Sequence, residues 1–521
     1  MTARAATDPP APSSIAALAT RLENVRAHLV DLEEAIDLDG YGGRRDSARN
    51  LLHYLAFRRF DLRRDQARLA RWGLSSLGRS ESHVLYNLDA VLGWLDRVRG
   101  GRPVIRAPSP GPDPERGRRT IERNAAALFG RTRPGRGVRI MVTMPAEAAT
   151  DYRLVRELVD GGMDCARINC AHEGPGEWAR MIAHIRRAER AVGRRCRVEM
   201  DLAGPKIRTG AMQPGPAVLK VRPKRDQLGR VLSPASVWLV PADEDASGPS
   251  APATITVPRE WLQGRRRRER ITFEDARGAH RTLRIAARDG LRCRAELGHS
   301  AYFTQGLRLV AKSPKGREEV ALIGPVPARE ARIRLSERDH LVVTARDDPG
   351  EEARRDRRGH VRRPAHIACT LPEALRFVRH GESIWFDDGR IGGVVRSASP
   401  ERLIVEVTHA PVGGEWLAAD KGINLPDTAL ELPPLVPKDL EDLRFVARHS
   451  DLVAYSFVRT ASDLDRLRRE LGRLGRPRMG VILKVETRRA FDELPALLLA
   501  ALRQPRVGVM IARGELGVEV G

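Results

Sequence analysis

The feature that most constrains the fold is an alternation of short apolar strands and helices, which runs through two separate parts of the chain. In the first part the pattern predicts strands at 139–143, 165–169 and 196–202, and helices at 151–159 and 177–192. In the second part it predicts helices at 438–448, 461–474 and 489–502, and strands at 452–458, 479–485 and 507–512. Repeated strand–helix units with short links indicate a parallel sheet covered by helices. We therefore expect one α/β domain, closed or open, that is divided by an insertion.

The segment between the two parts has a different pattern. From residue 211 to 420 short apolar runs are separated by glycine, proline and charged residues. This pattern predicts a β-rich inserted domain, within which 243–253 and 345–363 are expected to be loops or poorly ordered segments.

The first 135 residues are predicted to be helical. Apolar residues from Ile15 to Ile36 recur at spacings of three and four, which is typical of an amphipathic helix with a coiled-coil-like seam. Further helices are expected at 48–72 and 82–98, with linkers at 100–117 and 130–137.

Composition limits the possible partners and compartment. The net charge is +23, but the 68 acidic residues are interleaved with the 91 basic ones and aromatic residues make up only 4%, which argues against specific nucleic-acid binding. A basic RNA-associated protein remains an alternative. The five cysteines have no metal-ligand spacing, and neither a signal core nor an 18-residue apolar run occurs. We expect buried reduced thiols, no membrane association and a cytoplasmic location.

Charged and polar residues follow the predicted strands from the second one onward. The segments are RINCAH at 167–172, DLAGPKIRTG at 201–210, SFVR at 456–459, KVET at 484–487 and RGELG at 513–517. In a (β/α)8 barrel the carboxyl ends of the strands share one face, so these side chains would converge there. A carboxylate and two cations within one such segment are the chemistry expected of a phosphoryl or anion site.

These segments resemble the motifs of the pyruvate kinase family. GGMDCARIN at 161–169 resembles that family's GMNVARLN, and DLAGPKIRTG resembles DTKGPEIRTG. WFDDG at 385–389 resembles the family's VDDG, and KGINLP at 421–426 resembles KGVNLP. SFVR is identical to the family motif, KVE resembles KIE, and ARGELG at 512–517 resembles ARGDLG. The resemblance covers about 139–210 and 381–521, in the order in which the family carries these motifs.

The resemblance implies a TIM (β/α)8-type barrel with an inserted lid. Residues 136–210 would supply barrel strands 1–3 and residues 421–521 strands 4–6, with an enlarged β-rich lid at 211–420 and the helical extension at 1–135. Strands 7–8 and the family's C-terminal domain would be absent, so the barrel is expected to be incomplete at its C-terminal end. We interpret the chain as a fragment of a longer protein, rather than one completed by a partner or by its own N-terminal helices.

The implied activity is transfer of the phosphoryl group of phosphoenolpyruvate to ADP, which gives pyruvate and ATP in glycolysis. Mg²⁺ or Mn²⁺ would be the cofactor, and a homo-oligomer is expected. The resemblance implies that Lys484, Arg167 and Lys206 are catalytic residues and that Glu486 and Glu515 bind the metal. Arg167 would hold the substrate phosphate because its planar fork suits that group, and Lys484 would stabilise the transferring phosphoryl.

The remaining contacts of the implied site involve substrate carboxylate and nucleotide. Backbone amides of Arg513, Gly514 and Glu515 would bind the carboxylate, and Arg208 and Asn169 would lie towards the nucleotide.

Several positions depart from the family pattern. Ala171 stands where most members carry serine, Leu202 and Ala203 stand where they carry Thr-Lys, and Lys206 stands where they carry glutamate. The lost serine and threonine help to bind a monovalent cation in potassium-dependent members, and Lys206 would supply the charge of that cation. The resemblance is therefore to a potassium-independent branch, for which K⁺ is not required.

Two consequences follow for neighbouring residues. Asn169 and Asp201 are expected to contact Lys206 as the equivalents of the monovalent-cation site. Glu515 stands where the family carries aspartate, and one added methylene changes the geometry that Mg²⁺ meets. A catalytically impaired barrel with a binding or regulatory role, or a different phosphoenolpyruvate or pyruvate enzyme, are the alternatives.

Overall fold

The computed structural model describes residues 12–34, 37–100, 111–243, 253–313 and 316–521. The chain divides into two compact units. The first, here called the barrel unit, comprises Met1–Ile207, Phe377–Gly389 and Ile423–Gly521. The second, the β unit, comprises Arg208–Arg376 and Arg390–Gly422. Most of the predicted loop at 243–253 and of the linker at 100–117 lies outside the described residues.

The N-terminal part is helical. Its helices are α1 (Pro12–Glu34), α2 (Arg45–Phe57), α3 (Arg63–Arg71), α4 (Val84–Val98) and α5 (Pro114–Phe129), with a 3₁₀ turn at Asp39–Arg44. The single helix predicted at 48–72 is divided, because the Asp61 carboxylate accepts a hydrogen bond from the Arg63 amide and starts a new helix there. Helix α5 was not predicted, although Asp113 caps its first turn by accepting from the Arg116 amide.

The first part of the barrel unit alternates strands and helices. Its elements are β1 (Met141–Thr143), α6 (Tyr152–Gly161), β2 (Cys165–Asn169), α7 (Pro175–Val192) and β3 (Arg197–Asp201), with a 3₁₀ turn at Ala146–Ala149. Helix α6 ends where Gly162 adopts a left-handed conformation (φ 112°), which glycine takes without steric cost.

The intervening segment consists mainly of short strands. They are β4 (Pro214–Ala217), β5 (Leu219–Val221), β6 (Lys224–Arg225), β7 (Val231–Ser233), β8 (Ala235–Pro241), β9 (Thr254–Val257), helix α8 (Arg259–Gln263), β10 (Arg270–Glu274), β11 (His280–Asp289), β12 (Arg292–Leu297), β13 (Ala301–Phe303), β14 (Arg308–Lys312) and β15 (Glu318–Leu322). Next come β16 (Ala328–Glu330), β17 (Ile333–Leu335), β18 (His340–Thr344), β19 (Arg354–Arg355), β20 (Val361–Arg363), β21 (Ala365–Ala368), a 3₁₀ turn at Pro372–Phe377, β22 (Ser383–Phe386), β23 (Ile391–Ser399), β24 (Arg402–His409), β25 (Glu415–Leu417) and β26 (Ile423–Asn424).

Within the β unit the strands form two larger sheets. One has the order β15-β14-β10-β11-β12-β8-β9, and the other includes the neighbours β21-β18-β24-β23. Within 345–363, which was predicted to be a loop or a poorly ordered segment, β19 and β20 pair as a short hairpin that was not predicted. Their sequences are arginine-rich and lack the apolar alternation from which a strand is recognised.

The chain then returns to the strand–helix pattern. The elements are α9 (Pro437–His449), β27 (Leu452–Tyr455), α10 (Ala461–Arg473), β28 (Gly480–Val485), α11 (Arg488–Asp492), α12 (Leu494–Leu502), β29 (Val507–Ile511) and α13 (Arg513–Val520). The helix predicted at 489–502 is divided in two, with Pro495 in the first turn of α12, where its missing N–H costs no hydrogen bond.

The two parts of the alternation join into one parallel sheet. In the part of the chain that the structure describes, its order is β1-β2-β3-β27-β28-β29, so β27 lies directly beside β3 although the β unit separates them in sequence. One face of this sheet packs on helices and buries Trp178, Val198, Tyr455 and Leu483. On the inner face Cys165, Leu452, Ala454 and Ile482 form an apolar cluster, and the charged residues at the ends of the strands form the site described below.

Helix α5 closes the end of the inner face at which the strands begin. Leu128 is 3% exposed and clusters with Cys165, Leu452 and Ile482. Glycines provide the space it fills: a Cβ atom on Gly480 would lie 2.9 Å from Leu128 Cδ1. The helical extension is therefore part of the barrel core, as well as a separate cluster of helices.

Replacing Leu128 by alanine should lower the free energy of unfolding by about 2–5 kcal/mol, because it empties a buried site lined by strand residues. Urea unfolding followed by tryptophan fluorescence measures the change. Ile121 on the same helix is 64% exposed, and Ile121→Ala should change stability by less than about 0.5 kcal/mol. Equal losses for the two variants would contradict the role given to Leu128.

The expected state of the cysteines agrees with the structure. All five are buried and none forms a disulfide. Burial raises the pKa of the Cys196 thiol to about 12, so this thiol is neutral and unreactive. Among the described residues no helix is both long and apolar enough to cross a membrane.

Candidate functional site

The polar residues of the inner face lie where the parallel strands end. Strands β2 and β3 pair in register, with Arg167 opposite Glu199 and Asn169 opposite Asp201. Because side chains alternate along a strand, residues two apart share a face, and these four belong to the inner face. Strand β28 carries Lys484 at its end.

A buried ion cluster joins these strands. Asp201 Oδ2 accepts a hydrogen bond from Arg167 Nε at 2.9 Å and another from Arg167 Nη2, and it lies 3.2 Å from Lys484 Nζ. Lys484 Nζ also lies 3.0 Å from Glu486 Oε1. The side chain of Asp201 is 1% exposed and that of Lys484 is 9% exposed, so these charges attract each other with little screening by water.

Two neighbours fix the orientation of the cluster. Lys484 Nζ donates to the hydroxyl of Ser456 at 2.8 Å, and the amide of Phe457 donates to Glu486 Oε2 at 2.7 Å. Both come from the turn after β27. The strands beside β28 therefore hold its lysine and carboxylate in place before any ligand binds.

The surroundings shift the pKa values of these groups in opposite directions. Burial opposes ionisation of Asp201, but a hydrogen bond with Glu199 and the charges of Lys484 and Arg167 outweigh it and lower its pKa to about 2. Burial, followed by the adjacent Asp201, raises the pKa of Glu199 well above its usual range. Burial disfavours the charge of Lys484, yet Asp201 and Glu486 raise its pKa above the usual value.

The raised pKa favours the neutral acid form of Glu199 inside the fold. Glu199 is 0% exposed, and among the described residues no N–H or hydroxyl donor reaches either of its oxygens. The neighbouring cations keep the adjacent Asp201 ionised, and its negative charge adds to the effect of burial in opposing ionisation of Glu199.

This protonation predicts a pH dependence of stability. An unfolded glutamate titrates near pH 4.3, so above that pH folding must take up a proton at Glu199, and stability falls by up to about 1.4 kcal/mol per pH unit until the raised pKa is passed. Glu199→Gln removes this proton uptake. As the pH rises from 5 to 8, the free energy of unfolding of the variant, measured in urea, should therefore increase relative to that of the wild type. The matched control is Glu157→Gln, since Glu157 is exposed on α6 and should leave the profile unchanged. A variant that loses stability at pH 8 would contradict the neutral state.

A second cluster lies beside the first. Lys206 Nζ donates to Glu515 Oε1, and Asn424 Nδ2 lies 3.5 Å from Glu515 Oε2 and 3.0 Å from Glu519 Oε1. These residues line a cavity of about 340 Å³ together with Arg488. Burial raises the pKa of Glu486 in the first cluster, and the negative charge of Glu515 adds to this effect, so the two clusters influence each other electrostatically.

The structure differs from the expectation for Lys206. Its ammonium pairs with Glu515 and not with Asn169 or Asp201. The carboxylate of Asp201 is already held by Arg167 and Lys484, and Asn169 Oδ1 accepts from the Ala171 amide at 3.1 Å. Lys206 therefore pairs with a carboxylate that forms no other ion pair among the described residues.

The other predicted residues lie in two places. Arg513 and Gly514 are exposed at the first turn of α13, where backbone N–H groups without helical partners can bind an anion. Arg208 belongs to the β unit, where Nη1 donates to the Asp420 carbonyl at 3.0 Å and lies 3.4 Å from the Asp420 carboxylate.

Some residues of the site were not assigned a role from the sequence. Glu199 could have been recognised, because it lies two positions before Asp201 in a buried strand and must share its face. Asn424 and Glu519 gave no such signal, since their contact joins distant segments. Among the described residues no group of three or more His, Cys, Asp or Glu side chains forms a metal cluster, so a metal here would depend on two carboxylates and on ligand or water oxygens.

Comparison with known proteins shows the family to which the barrel belongs. The family described as pyruvate kinase, barrel domain, matches residues 135–229 and 320–521, which is more than half of the chain. The unmatched part of the β unit contains most of the sheet from β8 to β14. The predicted fold class, a partial TIM-type barrel with a β-rich insertion, is confirmed.

Individual relatives are similar over shorter stretches. Pyruvate kinase PKLR of Rattus norvegicus is 33% identical over 221 residues, which cover 42% of this chain and 34% of the relative. The pyruvate kinase of Chlamydia muridarum is 32% identical over 192 residues, with coverages of 37% and 36%. Pyruvate kinase 2 of Saccharomyces cerevisiae is 36% identical over 142 residues, with coverages of 27% and 26%. This chain thus spans about a third of the length of the first relatives. With more than half of its residues in the barrel domain of that family, the chain belongs to the pyruvate kinase family.

Proposed function

We propose that this protein transfers the phosphoryl group of phosphoenolpyruvate to ADP in glycolysis, with Mg²⁺ or Mn²⁺ as cofactor. The observation that carries the proposal is the buried cluster of Arg167, Asp201, Lys484 and Glu486 at the carboxyl ends of adjacent strands. Phosphoryl transfer needs mainly positioning and neutralisation of charge, and preorganised cations in a poorly hydrated site supply both.

Each residue has a role that its surroundings support. Arg167 would bind the substrate phosphate through Nη1, which donates to the hydroxyl of Thr143 at 3.0 Å in the structure, while Asp201 accepts from Nε and Nη2 and fixes the orientation of the guanidinium. Lys484 would stabilise the charge that develops on the transferring phosphoryl and on the enolate oxygen. The amides of Arg513, Gly514 and Glu515 would receive the substrate carboxylate.

Glu486 and Glu515 are the proposed metal ligands, and their chemistry fits a hard divalent cation. The negative charge of Glu515 adds to the effect of burial in raising the pKa of Glu486, and a cation between two carboxylates would relieve that repulsion. When bound, the metal supplies positive charge to the phosphoryl oxygens. Arg208 and Asn169 are proposed to lie towards the nucleotide, and Lys206 to make K⁺ unnecessary.

The assay is pyruvate formation from phosphoenolpyruvate and ADP, with Mg²⁺ present and K⁺ either added or replaced by a bulky organic cation. We expect turnover that needs Mg²⁺ and does not respond to K⁺. Glu486→Gln is the matched variant, because it keeps the shape of the side chain and removes its charge. Failure to form pyruvate, both in this chain and in any longer form that contains it, would contradict the activity. A strict need for K⁺ would contradict only the role of Lys206.

The cytoplasm is the proposed location and a homo-oligomer the proposed assembly. Five buried cysteines without disulfides support a reducing compartment.

A further inference from the structure

The contact between Lys206 and Glu515 joins two departures from the family motifs. Lys206 stands where the motif has glutamate, and Glu515 stands where it has aspartate. They are 309 residues apart in the chain, yet the ammonium and Oε1 form an ion pair. Their side chains are 24% and 17% exposed, so water screens this pair less than one at the surface. A pair formed by two such positions indicates that they act together.

Each proposed metal ligand is held by a lysine of its own. Lys484 holds Glu486 and also has Asp201 as a second counter-ion. Glu515 is the one ion-pair partner of Lys206 within the described part of the chain. Lys206 can therefore leave its carboxylate more readily than Lys484 can.

We propose that Lys206 is an internal counter-ion that a divalent cation must displace from Glu515. This inference rests on the proposed function, since it concerns the same metal site. An ammonium and a divalent metal repel each other, and here both are drawn to the negative charge of the same carboxylate, that of Glu515. Metal binding and release of Lys206 are then one exchange.

The exchange has two consequences. The affinity of the site for metal is lower than its carboxylates alone would give, because the ion pair has to be broken. The released ammonium is then free to meet an anionic ligand, so metal and anion should increase each other's affinity, as thermodynamic linkage requires. Glu515 reaches one methylene further than aspartate would, which suits it to hold a lysine of the neighbouring turn.

The test measures binding of Mn²⁺ alone, by electron paramagnetic resonance of the free ion, to the whole chain without substrate. Lys206→Met should bind Mn²⁺ roughly fivefold to tenfold more tightly than the wild type, because no ion pair has to be broken. Lys206→Arg keeps the charge and should remain close to the wild type. The control is Lys312→Met, which removes the same charge from an exposed strand position in the β unit.

Glu486→Gln separates this inference from the proposed function. Mn²⁺ binding that Glu486→Gln abolishes but Lys206→Met leaves unchanged or weakens would overturn the exchange and leave the metal site in place. Binding that does not respond to Glu486→Gln would overturn the metal site and the exchange with it.

A second measurement needs no metal. In the presence of a chelator, Lys206→Met and Glu515→Gln should each lower the unfolding temperature, and the double variant should lose less than the sum of the two. Additive losses would show that the pair does not act as a unit and would overturn the inference. This cycle also shows whether each variant folds.

Discussion

Lys484→Met is expected to lower kcat for pyruvate formation by about 10³-fold, because it removes a preorganised cation from the place where negative charge develops. The lysine lies 3.2 Å from Asp201 and 3.0 Å from Glu486 and donates to Ser456, so its ammonium is held in place before any ligand binds. Steady-state kinetics at saturating substrate and Mg²⁺ measure the loss. A role in the transition state predicts a larger effect on kcat than on KM.

Two checks accompany this variant. Thermal unfolding has to show that it is folded, since methionine leaves two buried carboxylates without their lysine. Lys312→Met, which changes an exposed lysine in the β unit, should keep the kcat of the wild type. A Lys484→Met protein that is folded and retains a kcat within about tenfold of the wild type would contradict the catalytic role.

The largest expected effect on stability belongs to Asp201→Asn. Its carboxylate is 1% exposed and is shared by Arg167 and Lys484, so the amide would leave two cations only partly compensated. Removing one partner of a buried ion pair costs about 3–5 kcal/mol, and we expect a decrease of that size in the free energy of unfolding at pH 7. Urea unfolding of the metal-free protein measures it.

The pH dependence adds a second criterion for Asp201. Its pKa is lowered to about 2 in the folded state, so its contribution is complete above the unfolded value near 4 and is lost as the pH falls towards 2. The difference between wild type and Asp201→Asn should therefore shrink between pH 4 and pH 2. The control is Asp160→Asn, which changes an exposed aspartate of the same unit and should match the wild type throughout. A difference that stays constant over this range would contradict the ion cluster as its cause.

Much of the barrel could be predicted from periodicity. Strands β2 and β28 and helices α7 and α9 lie within a few residues of their predicted bounds, because a buried parallel strand is a short apolar run and a covering helix repeats every three to four residues. The family was also recognisable, since its motifs are short, contiguous and specific, and the domain comparison confirms it. Helix α5 and the hairpin β19–β20 were not predicted, because their sequences are polar and rich in arginine.

The candidate site was also predictable only in part from local sequence. That Arg167, Asp201, Lys484 and Glu486 come at strand ends follows from their local sequence, because alternation along a strand determines which side chains share a face. Which charges meet does not follow from local sequence. The choice of Asp201 as the common partner of Arg167 and Lys484 depends on the placing of β3 between β2 and β27, across an insertion of more than 200 residues.

The same distinction applies to Lys206. Its sequence position marks it as a departure from the family motif, and that position alone predicts Asn169 and Asp201 as its partners. In the folded chain Asn169 Oδ1 accepts from the Ala171 amide and Asp201 Oδ2 is paired with Arg167 and Lys484, and the ammonium of Lys206 donates to Glu515, which lies 309 residues away in sequence. The local sequence thus determines the strands, the helices and the kinds of side chain at their ends. Long-range packing decides the pairing of charges, because ion pairs depend on distance in space and on burial, which no stretch of sequence contains by itself.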